Sequence, residues 1–409
     1  MITLAPSAAR PDPCAHLARL GAAPSLRPFD PAAVAFVRDL SRGILRGSGF
    51  RAFPELLAMA HALRPVEIDA LGRSFAERRG ARMWLPRGTA LHFAPANVDT
   101  IFVHSWVLSM LAGNANVVRL STRRGPQVEA LLDLVRELLD LPGHAAIAER
   151  TLLVSYEHDR ADATERLSAA CDLRVIWGGD ATVRAIRAVP LPPRAAEVVF
   201  ADRFSVAALD ASSVALASAA DLERLAHDFA NDAFWFDQRA CSSPRLVAWV
   251  GAPDDRAIAR DRFWPALTPH AHRHEGLASP AAAFARLSAA AELAARGKAF
   301  AIEADGAAAP MRARVRAVDD EMREIHEGFG LFYELELDAL DALGPHLHPR
   351  DQTLATFGLS PAALRAFIEA LPHRALDRVV PVGQALQFSP VWDGYDLLAT
   401  FTREVSVTV

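Results

Sequence analysis

From Trp84 to Gly179, short runs rich in valine, isoleucine and leucine alternate with segments whose apolar residues recur every three or four positions. "GTALHFAP", "NVVRLS", "RTLLVSY" and "LRVIWGG" read as strands, and "VDTIFVHSWVLSMLAG", "PQVEALLDLVRELLD" and "ATERLSAAC" between them read as helices. Strands separated by whole helices rejoin their sheet in parallel, so the alternation predicts an α/β fold with helices on the sheet faces. Upstream, "DPAAVAFVRDLSRGIL" and "AFPELLAMAHALR" carry helical periodicity, while the first dozen residues have a loose, proline-broken composition. A second α/β block opens near residue 211 with the helix "DLERLAHDFANDAFWFDQ" and includes the strands "RLVAWVG" and "LFYELEL". The expected organisation is a helical segment 1–80, α/β blocks 81–210 and 211–385, and a terminal segment 386–409.

Composition narrows the chemistry. A net charge of -5 over 409 residues gives no electrostatic case for nucleic acid or an anionic membrane as the main partner. The N-terminus lacks a basic region followed by an apolar core, and no apolar run reaches bilayer length, so a cytoplasmic protein without a membrane span is expected. Lys298 is the single lysine; it follows no phosphate-binding glycine loop and sits in no Schiff-base context, which argues against P-loop and pyridoxal enzymes. GxSxG and HExxH are absent. The histidines of "HAHRHEG" (His270, His272, His274) read as an exposed loop, and no metal is expected. The three cysteines, Cys14, Cys171 and Cys241, form neither a disulfide framework nor a CxxC pair.

Four places could carry function. Cys241 lies between a helix and a strand with small neighbours Ala240, Ser242 and Ser243, leaving room for a substrate at sulfur. Asn97, before a helix, suits an oxyanion donor or a simple N-cap. Arg119, Ser121 and Arg123, with Arg124 beside them, end a strand where α/β sheets bind ligands, and their guanidinium groups suit a phosphate or a solvated loop. Gly178, Gly179 and Asp180 form a turn into a helix, able to meet a phosphate or to serve as a plain turn with an aspartate N-cap. A GxGxxG fingerprint is missing, so a dinucleotide would have to be held in another way.

"PANVDT", "GNANVVRLS", "VIWGGD", "DQRACSSP" and the ending "DRVVPVGQALQFSPVWDGYDLLATFTREV", in that order and spacing, resemble the LuxC-type acyl-CoA (fatty-acid) reductases of the aldehyde dehydrogenase superfamily. The resemblance runs from about residue 80 to the C-terminus. It implies an aldehyde-dehydrogenase-like fold: a Rossmann-type NADP-binding domain over 81–210, a catalytic domain over 211–385, and a C-terminal strand used in oligomerisation. It implies Cys241 as nucleophile and Asn97 as oxyanion donor, with Asp99 where proline is common. Arg119, Ser121, Arg123, Gly178, Gly179 and Asp180 become cofactor contacts, and "EGFG" loosely matches the motif whose glutamate, here Glu327, contacts the nicotinamide ribose.

The implied reaction is NADPH-dependent reduction of an acyl-CoA or carrier-bound acyl thioester to an aldehyde through an acyl-cysteine. The region "VVFADRFSV" lacks the glutamate with which aldehyde oxidisers activate water, in keeping with a reductase that must not hydrolyse its acyl-enzyme. The implied partners are the thioester, an acyl-transferring protein and further copies of the chain, through a strand in "TFTREVSVTV". Two other readings stay open: a cysteine acyltransferase or thioesterase, with a base such as His227 or Asp237, and a non-catalytic scaffold.

Overall fold

The strand runs of the first block assemble as the pattern predicts. A computed structural model describes residues 1–7, 12–95, 101–306 and 309–408. They divide into one unit of Met1–Asp202 with Phe388–Val409 and another of Arg203–Gln387.

The first unit contains β1 (Ile2–Ala5), β2 (Met83–Pro86), β3 (Thr89–Phe93), β4 (Ala115–Leu120), β5 (Thr151–Ser155), β6 (Leu173–Trp177) and β7 (Ala196–Phe200). Its main sheet has the order β1-β5-β4-β3-β6-β7, parallel from β3 to β7 and antiparallel where β1 meets β5. β3, β5 and β6 are buried along their whole length, the reason they read as unbroken apolar runs rather than alternating ones. The helix Ile101–Leu111 is buried on every side from Phe102 onward, because it packs on β3 and β4 and is itself covered by the helices Pro31–Arg46 and Leu397–Phe401.

The expectation about the first eighty residues needs correction. The loose opening residues include an edge strand, Ile2–Ala5, which covers the outer edge of β5. The helices that follow it belong to the core of this unit: Phe36, Val37, Leu40 and Ile44 join Trp106, Leu131 and Val135 in one apolar cluster. At the other end, Thr402–Val405 is a strand as expected, and its antiparallel partner is β2 of the same chain.

The second unit contains β8 (Phe204–Asp210), β9 (Leu246–Val250), β10 (Ala299–Ala304), β11 (Met311–Val315), β12 (Leu331–Leu337), β13 (Asp351–Phe357) and β14 (Arg378–Pro381). The order is β10-β11-β12-β9-β8-β13-β14, with only β10 antiparallel to its neighbour. The sequence pattern placed residues 204–210 in the first block. Here they are the interior strand β8, paired on both sides with β9 and β13, so the chain enters the second unit at Arg203. It leaves that unit at Gln387, two residues beyond the expected boundary. Among the described residues, no helix is long and apolar enough to cross a membrane.

Candidate active site

Cys241 lies in the connection from the helix Ala219–Phe234 to the amino end of β9, and its neighbours explain the run "DQRACSSP". Asp237 and Gln238 both take positive φ, 52° and 61°, which bends the chain back after the helix. Gln238 is fully buried and satisfies its amide with backbone: Nε2 donates to Pro244 O (2.9 Å) and Leu331 O (2.8 Å), and Oε1 accepts from Gly330 N (2.8 Å). Ser243 donates from Oγ to Asp232 O at 2.7 Å, and Ser205 on β8 donates from Oγ to the carbonyl of Cys241 itself at 2.7 Å. Ser243, two residues beyond Cys241, thus ties the loop to the helix behind it. Ser242 differs: its hydroxyl is buried without a hydrogen-bond partner among the described residues.

The same loop carries the turn containing Glu327. Phe329 N donates to Asp237 O at 2.7 Å, and Arg286 donates from a buried guanidinium to Phe329 O at 2.6 Å. Gly328, Phe329 and Gly330 all have positive φ, and a Cβ on Gly328 would come within 3.0 Å of Asp237 O, so the first glycine of "EGFG" is demanded by close approach. The structure therefore joins Cys241 and Glu327 through adjoining loops of one unit, with Glu327 exposed.

A polar clamp closes the other side. Asp232, on the helix Ala219–Phe234, accepts from Gly383 N (2.6 Å) and Ala385 N (2.9 Å). Arg378, opening β14, donates to the carbonyls of Gln384, Ala385 and Gln387 at 2.9, 2.9 and 3.2 Å. Burial pushes the Asp232 carboxyl up to about 7, against the pull of its two backbone donors, with Asp228 adding to the rise and Arg378 opposing it. Burial lowers the Arg378 pKa, while the charges of Asp232 and Cys241 favour its protonated form.

The other two cysteines are held differently. Cys171 is buried, its thiol pushed up to about 12 by desolvation, and it donates to Ser168 O. Cys14 sits in the first turn of the helix Pro13–Ala22, and its sulfur accepts from Arg166 at 3.0 Å. His227, one of the possible bases, faces Asp228 at 3.2 Å and the ring of His270. His270 corrects the expectation of an exposed histidine loop: it lies buried at the end of the helix Pro253–Ala271, 2.9 Å from Glu223. Among the described residues, no group of three His, Cys, Asp or Glu side chains could hold a metal.

In the first unit the predicted cofactor residues gather at one edge of the sheet. β4 and β6 flank β3, where the chain order reverses, and their carboxyl ends stand two strand spacings apart, about 10 Å. Arg119, at the end of β4, donates to Tyr156 O at 3.0 Å and lies over the Tyr156 ring; burial lowers its pKa. Ser121 Oγ accepts from Arg123 N at 3.1 Å, and Arg124 is bound to Glu129. Arg123 is exposed, with no ion pair or side-chain hydrogen bond among the described residues. After β6, Gly178 N bonds to Phe200 O, and Gly179 is the N-cap of the helix Asp180–Arg187. Asp180 is thus the first helical residue rather than the cap, and no side chain caps this helix. Asn97 and Asp99 lie outside the described residues.

Sequence reasoning missed Gln238, Ser205, Asp232 and Arg378. Gln238 stood three residues before the cysteine and was open to notice; Asp232 and Arg378 are joined only by the fold.

The acyl-CoA reductase (LuxC) family model matches residues 66–404, most of the chain. The protein belongs to the acyl-CoA reductase (LuxC) family. Two curated relatives fit that assignment. A long-chain acyl-protein thioester reductase of Aliivibrio fischeri is 24% identical over 168 residues, 41% of this chain and 33% of that protein. A long-chain acyl-protein thioester reductase 2 of Photobacterium leiognathi is 24% identical over 169 residues, with the same coverage of each chain. The matched region thus spans about a third of these relatives' length. Solved structures share the fold: a lactaldehyde dehydrogenase (14% identity, TM-score 0.65, 96% of this chain and 90% of the other) and an NAD-dependent benzaldehyde dehydrogenase from Corynebacterium glutamicum (13%, 0.63, 95% and 86%). PnpE in complex with nicotinamide adenine dinucleotide is equally similar (14%, 0.65, 92% and 85%). This LuxC-family chain has an aldehyde-dehydrogenase-like α/β fold.

The Asp232 clamp generates a stability prediction. An unfolded aspartate titrates near 3.9, roughly three units below the folded value, so the folded chain holds this proton more tightly and acidification from pH 7 towards 4 favours folding. The unfolding free energy of wild type minus that of Asp232→Asn should increase as pH falls through this window, by up to about 1.4 kcal/mol per pH unit. Urea titrations at several pH values measure it; a difference that is flat with pH contradicts the assignment.

Proposed function

We propose that this protein reduces an acyl thioester to the aldehyde with NADPH, through a covalent acyl-cysteine at Cys241. The observation that carries the reading is the half-buried Cys241 in a loop held in shape by the Gln238 amide and the Ser243 and Ser205 hydroxyls. Family membership and the acyl-protein thioester reductases similar to it support the substrate class.

The residues present suit a nicotinamide dinucleotide. An uncapped helix N-terminus after Gly179 offers backbone N–H groups to a pyrophosphate, and Arg123 offers a guanidinium to a ribose 2′-phosphate. Arg119 and Ser121 serve the adenosine ribose, Gly178 and Asp180 complete the turn, and the resemblance gives Glu327 the nicotinamide ribose.

Cys241, as thiolate, attacks the thioester carbonyl; its backbone N–H and the Asn97 side chain receive the developing oxyanion. A C–S bond to Cys241 forms, the C–S bond to the carrier breaks, and the carrier leaves as a thiol after taking up a proton. NADPH, when bound, supplies the hydride that converts the acyl-cysteine to a thiohemiacetal, from which aldehyde departs and the thiolate returns. Hydrolysis is disfavoured because the "VVFADRFSV" stretch carries no glutamate to activate water. The acyl donor is a coenzyme A or carrier-protein thioester, delivered by an acyl-transferring partner, to a homo-oligomer of this chain.

With a panel of acyl thioesters, wild type should oxidise NADPH and form aldehyde, and Cys241→Ala should lose at least about a thousandfold of that rate. Unchanged turnover in the variant would remove Cys241 from the reaction. Loss of one charge-assisted phosphate contact in Arg123→Gln should raise KM for NADPH about tenfold while leaving KM for NADH nearly unchanged. Equal effects on both cofactors would place Arg123 away from the 2′-phosphate.

A further inference from the structure

Arg378 has no part in the reaction as drawn, yet the fold links the turn it binds to the cysteine loop through Asp232. Its guanidinium cannot swing: the carbonyls of Gln384, Ala385 and Gln387 hold it from one turn. That turn is fixed from the opposite side by Asp232, through Gly383 N and Ala385 N. The helix of Asp232 is in turn bonded to the cysteine loop by Ser243 Oγ, two residues beyond the sulfur, while Ser205 holds the carbonyl of Cys241. Cys241, Asp232 and Arg378 are therefore linked through one hydrogen-bonded network. Among the described residues, Asp232 and Cys241 are ionisable groups that act on Arg378, and Asp228, one helical turn before Asp232, packs against Gly383.

Resting on the reading of Cys241 as nucleophile, we propose that Arg378 is a positioning residue that supplies the fixed positive charge holding Cys241 as thiolate, with Asp232 as its opposing carboxylate. A guanidinium with its hydrogen bonds satisfied by carbonyls keeps its full charge and cannot give up a proton, so it stabilises a thiolate without competing as an acid. The neutral carrier thioester gains nothing from this charge; the sulfur anion does. Asp232, ionised, offsets part of the field, and its neutralisation strengthens the hold on the thiolate.

The test follows the pH profile of iodoacetamide alkylation at Cys241, read by peptide mass spectrometry, with Cys14 as an internal reference. Arg378→Gln should raise the midpoint by about one pH unit, which below the midpoint is a roughly tenfold slower alkylation, and Arg378→Lys should recover part of the shift. Asp232→Asn, which keeps Arg378, should move the midpoint down, and it carries the test if Arg378→Gln does not fold. An unchanged midpoint in folded Arg378→Gln, or an unchanged or raised one in Asp232→Asn, overturns the proposal. Neither result bears on the nucleophile itself, whose failure would show as turnover surviving Cys241→Ala.

Discussion

The amide of Gln238 is the contact on which the site depends. A loop that reverses direction inside a protein leaves backbone N–H and C=O groups without ladder partners, and each such group costs about 1–3 kcal/mol if left unpaired. One fully buried side chain answers three of them, at Gly330, Leu331 and Pro244. The cysteine loop and the turn carrying Glu327 thereby share a fastening, although about ninety residues separate them in sequence. The positive φ values at Asp237 and Gln238 are tolerated because these bonds over-determine the conformation.

The same logic accounts for a chain with arginine at nearly every cationic position. Several of its arginines serve as carbonyl clamps. Arg150 binds Pro24 O and Ala146 O, Arg262 binds the carbonyls of Val214 and Ala217, Arg286 binds those of Leu277 and Phe329, and Arg378 binds its turn. A planar fork with five donors can satisfy two or three chain-end carbonyls at once, whereas a lysine offers a single hydrated point. Loops that lack a ladder partner gain their order in this way, and the cysteine loop borrows it through Arg286 and Arg378.

Much of the fold was legible because burial wrote it into local sequence. β3, β5 and β6 are covered on both faces, so their unbroken apolar runs between helical repeats revealed the parallel sheet, and small neighbours at a helix–strand junction singled out Cys241 as a candidate. Where local pattern failed, a distant partner decided the outcome. Ile2–Ala5 is a strand because β5 has an open edge, and β8 belongs to the second unit because β9 and β13 flank it. His270 is buried by Glu223 and His227 on another helix, which no spacing within "HAHRHEG" discloses. The clamp of Asp232 and Arg378 was likewise invisible, since its two halves lie 146 positions apart in the numbering and meet only in the folded unit.

The central claim, that Cys241 carries the acyl group, is tested most directly by trapping it. The protein is incubated with a long-chain acyl-CoA in the absence of nicotinamide cofactor, digested, and its peptides mapped by mass spectrometry. The account predicts one acyl group, labile to hydroxylamine, on the peptide containing Cys241, and its disappearance when NADPH is added together with release of aldehyde. An acyl group found on Cys14 or on a hydroxyl residue, or none at all from a donor that supports turnover, would contradict it.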